Sequence, residues 1–296
     1  MKIIVTGGCG FIGGHLVDGL LDEGYDVTVI DDLSANNGTF YYRNEAKYHK
    51  LSITEYKKIE PLFEGVDHVF HLAAEARIQP SIENPTRAVE INVLGTTNVL
   101  KASIKHKIKR VIYSGTSAVY GLTEELPTDE NTKIDCLNPY SATKYAGEEM
   151  IKCFNKLYGL DACIFRYFNV YGERSPVSGP YSLVIGIFLE QLKNNESLTV
   201  VGDGLNRRDF IHVKDVVAAN VLAMKNESRL NGEIFNIGFG KNYSILEIAQ
   251  MISKNYTHIP PRLGEARNTL ANIEKVKRIL NWEPKIKIKQ WLDKMV

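Results

Sequence analysis

Tyr140 and Lys144 stand four residues apart in the run Asn138-Pro139-Tyr140-Ser141-Ala142-Thr143-Lys144, and that spacing can move a proton. Pro139 suits the first position of a helix, where its missing N–H costs nothing, and Asn138 can cap it. The two side chains then share one helical face. A free tyrosine titrates near ~10 and is a poor base at neutral pH. A lysine ammonium beside it favours the phenolate and draws its pKa toward the working range. The same residues also describe an ordinary helix start with a Tyr and a Lys on a solvated face. The pattern needs a chemical context.

The start of the chain supplies one. Lys2-Ile3-Ile4-Val5-Thr6 reads as a strand, and Gly7-Gly8-Cys9-Gly10-Phe11-Ile12-Gly13 opens a helix through about Glu23. Gly24 stops that helix, and a second strand, Tyr25 to Ile30, ends in Asp31-Asp32. Glycines in such a β-turn-α-β unit allow a tight turn and close backbone approach. A pyrophosphate can then sit on the helix-start N–H groups, from Gly7 and Gly10 through Phe11, Ile12 and Gly13. Asp31, with Asp32 beside it, is placed to accept hydrogen bonds from a ribose hydroxyl pair. A carboxylate there repels a 2′-phosphate, so NAD(H) is favoured over NADP(H).

The elements that position these groups continue the alternation. Asp67 to Ala74 reads as a buried strand whose end, Leu72, Ala73 and Ala74, faces the dinucleotide; Pro85 to about His106 reads as one long helix. Arg110 to Ser114 is the next strand, and Ser114 to Gly121 places hydroxyls, Thr116 among them, at its carboxyl edge. Strands separated by helices predict an α/β fold with a doubly wound parallel sheet, whose ligands bind at the strand C-termini. Asn92 fits either a backbone-bonding role at the site or a surface amide. His68 and His71 read as core residues. Asp161 to Gly172 is a further strand running into a loop.

Beyond Gly172 the composition changes. Glu173 to Tyr181 reads as irregular, Ser182 to Lys193 as helix, and Leu198 to Val201 as strand. Gly202-Asp203-Gly204 then turns into Asn206 to Phe210. His212 to about Lys225 reads as helix, Glu233 to Gly238 as strand, and the C-terminal part as mixed helix and loop with a basic link at Pro260 to Arg267. The 296 residues fit one large domain or two closely joined ones. We expect a Rossmann-type NAD-binding domain over 1–171, joined by 209–238, and a smaller C-terminal α/β substrate-binding domain from 172–208 and 239–296.

Composition limits the classes of function. Apolar content of 44% and charged content of 24% describe a soluble globular protein, and a net charge of +1 gives no reason to expect nucleic acid or an anionic membrane as partner. No signal peptide and no bilayer-length apolar run is visible, so a cytoplasmic enzyme is expected. Cys9, Cys136, Cys153 and Cys163 form no C-x-x-C pair, and neither disulfide nor metal site is expected.

The glycine turn, Thr116, Tyr140-x-x-x-Lys144, Arg166-Tyr-Phe-Asn-Val-Tyr-Gly172 and Arg208-Asp-Phe-Ile together resemble the extended short-chain dehydrogenase/reductases. Among these the chain is similar to the NAD-dependent nucleotide-sugar 4-epimerases, from the first strand to about Pro284. The resemblance implies that Thr116 bonds the sugar O4, that Tyr140 is general base and then acid, and that Lys144 bonds the nicotinamide ribose. It implies that Asn169 binds substrate and that Arg208 and Arg267 clamp the UDP diphosphate, a task suited to a cationic fork. NAD would be restored in each cycle and stay tightly held. Family members commonly form homodimers through the helices near Asn92–His106 and after Pro139, and the spacing of Val93, Leu94, Thr97, Leu100 and Ile104 permits this.

Neighbouring activities fit less well. The related 4,6-dehydratases carry an Asp-Glu pair after the catalytic Thr, and UDP-glucuronate decarboxylases a Glu at the second position. Here Ser117 and Ala118 stand there. Two departures from the family are Ser52, where an adenine-bonding Asp is usual, and Asn272, where Asp is usual. Thr269 is small where a bulky Tyr restricts some epimerases to UDP-glucose and UDP-galactose, so UDP-GlcNAc and UDP-GalNAc are expected to enter as well. A UDP-glucuronate 4-epimerase, an oxidoreductase with net NAD(H) turnover and a non-catalytic nucleotide-sugar binder are the alternatives.

Overall fold

Short β-branched and aromatic runs alternate with helices along the whole chain. The computed structural model describes residues 1–34, 42–177, 183–261 and 267–296. The chain begins with β1 (Lys2–Thr6), α1 (Phe11–Asp22), β2 (Asp26–Asp31), β3 (Lys47–Lys50), a short α2 (Tyr56–Ile59) and β4 (His68–His71). Helices α3 (Ile78–Glu83), α4 (Pro85–Val89) and α5 (Thr96–Lys105) precede β5 (Arg110–Thr116), and α6 (Pro139–Tyr158) precedes β6 (Ala162–Tyr167) and β7 (Asn169–Tyr171). Next come α7 (Val184–Lys193), β8 (Leu198–Val201), β9 (Arg207–His212), α8 (Val213–Lys225) and β10 (Glu233–Ile237). The chain closes with β11 (Asn242–Ser244), α9 (Ile245–Ile252), β12 (Tyr256–Ile259), α10 (Glu274–Leu280) and α11 (Ile288–Met295).

Seven strands form one sheet in the order β10-β6-β5-β4-β1-β2-β3, with every neighbouring pair parallel. Both faces are covered. Ile3 and Val5 pack on one side with Leu16 and Val216, while Ile4 packs on the other with Phe63 and Val99. Strand order reverses between β1 and β4, which opens a crevice at the strand C-termini. The fold is therefore the expected doubly wound α/β sheet. A third core, including Tyr171, Phe188, Phe210, Ile248 and Trp291, lies beneath the small sheets β11-β9-β7 and β12-β8. Ala271, Ile273, Val276 and Trp282 pack instead into the main core, so the last residues of the chain serve two cores.

Several sequence expectations need correction. The helix from Pro85 is interrupted by a π-helical stretch, Glu90–Gly95, whose wider turn carries the buried Asn92. The Asp67–Ala74 strand shortens to β4; Leu72 still donates to Thr6 O at 3.0 Å before the chain leaves the sheet. Arg207 to His212 is a strand, because Phe210 and Ile211 are buried and pair with β7. The C-terminal part holds strand as well: Tyr256–Ile259 adds to β8. Leu100 is fully buried and cannot lie on an exposed stripe, whereas Leu94, Leu157 and Tyr158 are exposed. The helix expected from Ser182 is seen from Val184; Ser182, Tyr181 and the Arg262–Ala266 part of the basic link fall outside the described residues.

Among the described residues no helix is long and apolar enough to cross a membrane, and no group of three or more His, Cys, Asp or Glu could hold a metal ion. The four cysteines are free thiols.

Candidate active site

The crevice at the strand ends is a cavity of about 590 Å³. Its floor begins where β1 gives way to the glycine turn. Gly7 adopts φ +73°, and a Cβ there would lie 2.6 Å from Ala73 N; a Cβ on Gly13 would lie 2.0 Å from Gly7 O. Only glycine fits this close approach of backbones. Gly10 caps α1 without any side-chain bond, so the helix-start N–H groups remain available to an anion. Gly7, Gly10 and Gly13, with Phe11 and Ile12, line the cavity, as do Leu72, Ala73 and Ala74.

Asp31 ends β2 at the cavity edge. Its Oδ2 accepts the Cys9 N–H at 2.9 Å and its Oδ1 the Leu33 N–H at 2.8 Å. Burial pushes its carboxyl above the ordinary range while these two bonds oppose the shift. Each oxygen keeps a lone pair for a further donor, as a ribose diol requires. Asp32 lines the cavity too, and its Oδ1 accepts the Ser34 N–H at 2.9 Å. A glycine cradle that a Cβ would fill, an uncapped helix start and a fixed carboxylate together fit a dinucleotide. Ser52, on the same side, also lines the cavity and bonds Thr54 Oγ1 at 2.9 Å.

Helix α6 delivers the acid–base groups. Asn138 Oδ1 accepts the Ser141 N–H at 2.9 Å and Ser141 Oγ lies 3.4 Å from the Asn138 N, a reciprocal cap with Pro139 in the first turn. Tyr140 and Lys144 both line the cavity, and Thr116 enters it from the end of β5. The Thr116 hydroxyl accepts the Ala118 N–H at 3.1 Å and pulls the nearby Tyr140 phenol toward ionisation.

The electrostatics depart from the expectation that Lys144 lowers the Tyr140 pKa. Burial holds the phenol above its ordinary value, and the groups that oppose it are the Thr116 hydroxyl and the Arg77 guanidinium. Lys144 is buried, with Nζ 4.2 Å from the centroid of the Tyr113 ring. Desolvation lowers it to about 7, with the Glu148 carboxylate opposing. It is a weakened cation in this structure. Glu148 follows Lys144 by one turn and is itself paired with Arg166 at 2.7 Å, both side chains fully buried. The series 140, 144, 148 was visible in the sequence as a continued i+4 spacing, but Glu148 was not singled out.

The opposite wall comes from β7, β9 and the segment after residue 266. Asn169 Nδ2 donates to Asp209 O at 2.9 Å and to Thr269 Oγ1 at 3.3 Å, and the Asp209 N–H donates to Thr269 Oγ1 at 3.2 Å. This leaves the Asn169 carbonyl oxygen for a ligand. Asp209, which sequence reasoning passed over, ties the wall together: its carboxylate accepts the N–H groups of Phe239, Gly240 and Ala271 at 2.7–3.0 Å. Burial still raises it to about 6. Arg208 Nη1 donates to the carbonyls of Arg207 and Arg267, both at 3.1 Å.

Asn169, Arg208 and Thr269 line the cavity, and two other expected residues do not. Asn92 stands one layer behind, its amide engaged by the backbone of Glu75 and by Thr143 Oγ1. The Arg267 side chain is 69% exposed and lies 3.7 Å from Asp203. Arg77, on the loop after β4, lines the cavity and had not been singled out; its position past the C-terminal end of a sheet strand was the available signal.

A profile described as the NAD dependent epimerase/dehydratase family matches residues 3–238. A putative UDP-glucose 4-epimerase of Methanocaldococcus jannaschii is 38% identical over 99% of this chain and 97% of its own length. Among solved structures, the UDP-glucose 4-epimerase of Thermotoga maritima with UDP-glucose superposes with a TM-score of 0.93 at 36% identity, covering 99% of this chain and 96% of that one. The UDP-N-acetylglucosamine 4-epimerase of Methanobrevibacter ruminantium in complex with UDP-N-acetylmuramic acid gives 0.91 at 32% identity, covering 99% and 96%.

Proposed function

The chain belongs to the NAD dependent epimerase/dehydratase family, and from that premise we propose that it inverts C4 of a UDP-hexose, accepting UDP-GlcNAc and UDP-GalNAc as well as UDP-glucose and UDP-galactose. The observation that carries this reading is the meeting of the Thr116 and Tyr140 hydroxyls inside one cavity. The glycine turn and Asp31 stand on one side of them, and Asn169, Arg208 and Thr269 on the other. NAD, bound on the glycine turn and Asp31, would supply a reversible hydride acceptor beside Tyr140.

The residues divide the work. Tyr140 takes the proton from O4 and later returns it, with Thr116 bonding the same oxygen. Lys144 stands one turn behind with its ammonium directed by Tyr113 and Glu148. Arg208 anchors the diphosphate, with the Asn169 carbonyl as an acceptor nearby. A 4-keto sugar can then turn about that anchor and receive hydrogen on its other face. Ser117 and Ala118 offer no acid or base for eliminating water or guiding decarboxylation.

Thr269 supports the wider substrate range. It is short, lines the cavity, and its hydroxyl is engaged by Asn169 and the Asp209 N–H, so it leaves room beside the sugar. We assign Arg267 no part in anchoring the diphosphate, because its side chain is exposed, lies 3.7 Å from Asp203 and does not line the cavity. The reading also treats residues 1–171 with 209–238 as the dinucleotide unit and 172–208 with 239–296 as the substrate unit; the third core joins them, taking Tyr171 and Phe210 from the first and Phe188, Ile248 and Trp291 from the second. Two copies would pair through the π-helical stretch with α5 and through α6, where Leu94, Leu157 and Tyr158 are exposed. An assay of the four UDP-hexoses and UDP-glucuronate tests the range. Turnover of both acetylated sugars is expected; UDP-glucose turnover beside inert acetylated sugars would contradict it.

A further inference from the structure

Lys144 lies against the face of a buried aromatic ring. Its Nζ stands 4.2 Å from the centroid of the Tyr113 ring, within the distance at which a ring quadrupole attracts a cation. The same tyrosine holds the lysine at a second point, because its hydroxyl donates to Lys144 O at 3.2 Å. Helix α6 is cut away to receive it. A Cβ on Gly147 would lie 2.3 Å from Tyr113 Oη and 2.9 Å from Cζ, so a side chain at 147 would push the ring off the helix. Glycine weakens a helix interior, and here it admits the ring.

A histidine holds the ring in turn. Tyr113 pairs with His71 in the sheet, and their ring centroids are 5.6 Å apart. His71 Nδ1 is 2.7 Å from Thr6 Oγ1 and its Nε2 is 2.9 Å from Thr96 Oγ1, so β1 and α5 fix the imidazole at both nitrogens.

We propose that Tyr113 is a positioning residue for Lys144, its ring face keeping the lysine ammonium charged and seated at the cavity wall. What the ammonium does there rests on the epimerase reading above; its contact with the ring does not.

The titratable groups around this contact leave that task to the ring. Burial lowers Lys144 to about 7, so its ammonium needs a partner at neutral pH. Glu148, one turn on in α6, opposes that shift, but its carboxylate is shared with Arg166 of β6 through bonds of 2.7–3.2 Å. Tyr113, from β5, is pushed well above its ordinary value and stays neutral. His71, from β4, is lowered by burial to about 3 and brings no competing cation. Burial also raises Tyr140, one turn back in α6. A neutral ring face attracts the buried ammonium without itself gaining or losing a proton.

The test follows the Lys144 side chain by NMR titration of the full-length holoenzyme carrying isotope-labelled lysine, with the Lys144→Met spectrum identifying its signal. It is run beside the pH profile of kcat for UDP-GlcNAc. Tyr113→Phe keeps the ring and should titrate with the parent. Tyr113→trifluorophenylalanine keeps the shape of that ring while drawing charge from its face. It should move the Lys144 titration down by about one pH unit and cost about tenfold on the alkaline limb of the profile. Tyr113→difluorophenylalanine should fall between the two. The series holds the packing nearly constant, so a purely structural role for Tyr113 would leave the titration still. Tyr56→trifluorophenylalanine, which alters the ring 4.3 Å from Lys101 Nζ, should leave both readouts in place. A Lys144 titration unmoved by fluorine at residue 113, or moved as far by Tyr113→Phe, would overturn the proposal. A graded shift in a protein that turns over no UDP-sugar would instead leave Tyr113 its role and remove the epimerase reading.

Discussion

The two walls of the cavity are built by different means. The wall of Gly7, Asp31 and Tyr140 is made of backbone packed too closely for a Cβ, of a carboxylate held by two N–H groups, and of a capped helix start. The wall of Asn169, Arg208 and Thr269 hangs on short strands and on a segment tied back by Asp209. Its remaining arginine, Arg267, faces solvent. The first wall is fixed by geometry that few residues can satisfy, which suits chemistry shared by many substrates. The second is made of side chains that can change singly, which suits choice among sugars.

If the first wall carries the chemistry, its loss should dominate. Tyr140→Phe removes the proton acceptor and should lower kcat by about 10²–10⁴-fold. Circular dichroism should stay unchanged, because the phenol oxygen itself holds no element in place. Parent-like turnover would break the division between walls. On the second wall the effects should be smaller and fall mainly on KM. Arg208→Ala should raise KM for UDP-GlcNAc by about tenfold to a hundredfold, the loss of a charged hydrogen bond of about 1.5–3 kcal/mol. Arg267→Ala, at an exposed side chain that does not line the cavity, should raise it less than Arg208→Ala does. Equal effects from the two arginines in steady-state kinetics would show that Arg267 binds the substrate as Arg208 does.

The smallest effect is one of stability. Burial lowers Lys144 to about 7 in the folded protein, against 10.5 for its ordinary value. Between those values the unfolded chain binds a proton that the folded one does not, so this group's contribution makes stability rise with pH through that window. Replacing it in Lys144→Met should flatten the rise, measured as the urea midpoint of parent and variant at about pH 7 and about pH 9.5. Parallel lines would mean that the lysine keeps its ordinary pKa.

The first wall was also the more legible one. The glycine turn, Asp31, the Asn138 cap and the Tyr140–Lys144 spacing are local, because each is a few consecutive residues whose conformation dictates their type. The parallel sheet could be read for the same reason, from buried runs such as Arg110–Ser114. The second wall depends on contacts between distant segments. Asn169 meets Thr269 across 100 residues of chain, and Asp209 gathers N–H groups from residues 239, 240 and 271. No periodicity announces such contacts. The strand Arg207–His212 was missed because charged residues open it, and Arg267 was placed in the site by resemblance where the structure turns it outward. The sign of the electrostatics at Tyr140 was also not legible, since burial, unseen in a motif, outweighs the neighbouring charges.

The central claim is that hydrogen leaves C4 of a UDP-sugar and returns to the same carbon within one cavity. The direct measurement uses UDP-GlcNAc carrying deuterium at C4, incubated with the holoenzyme and analysed by NMR, with NADH absorbance followed alongside. The account predicts UDP-GalNAc that keeps its deuterium at C4, with no net accumulation of NADH. Deuterium lost to solvent, or NADH rising in proportion to product, would contradict it.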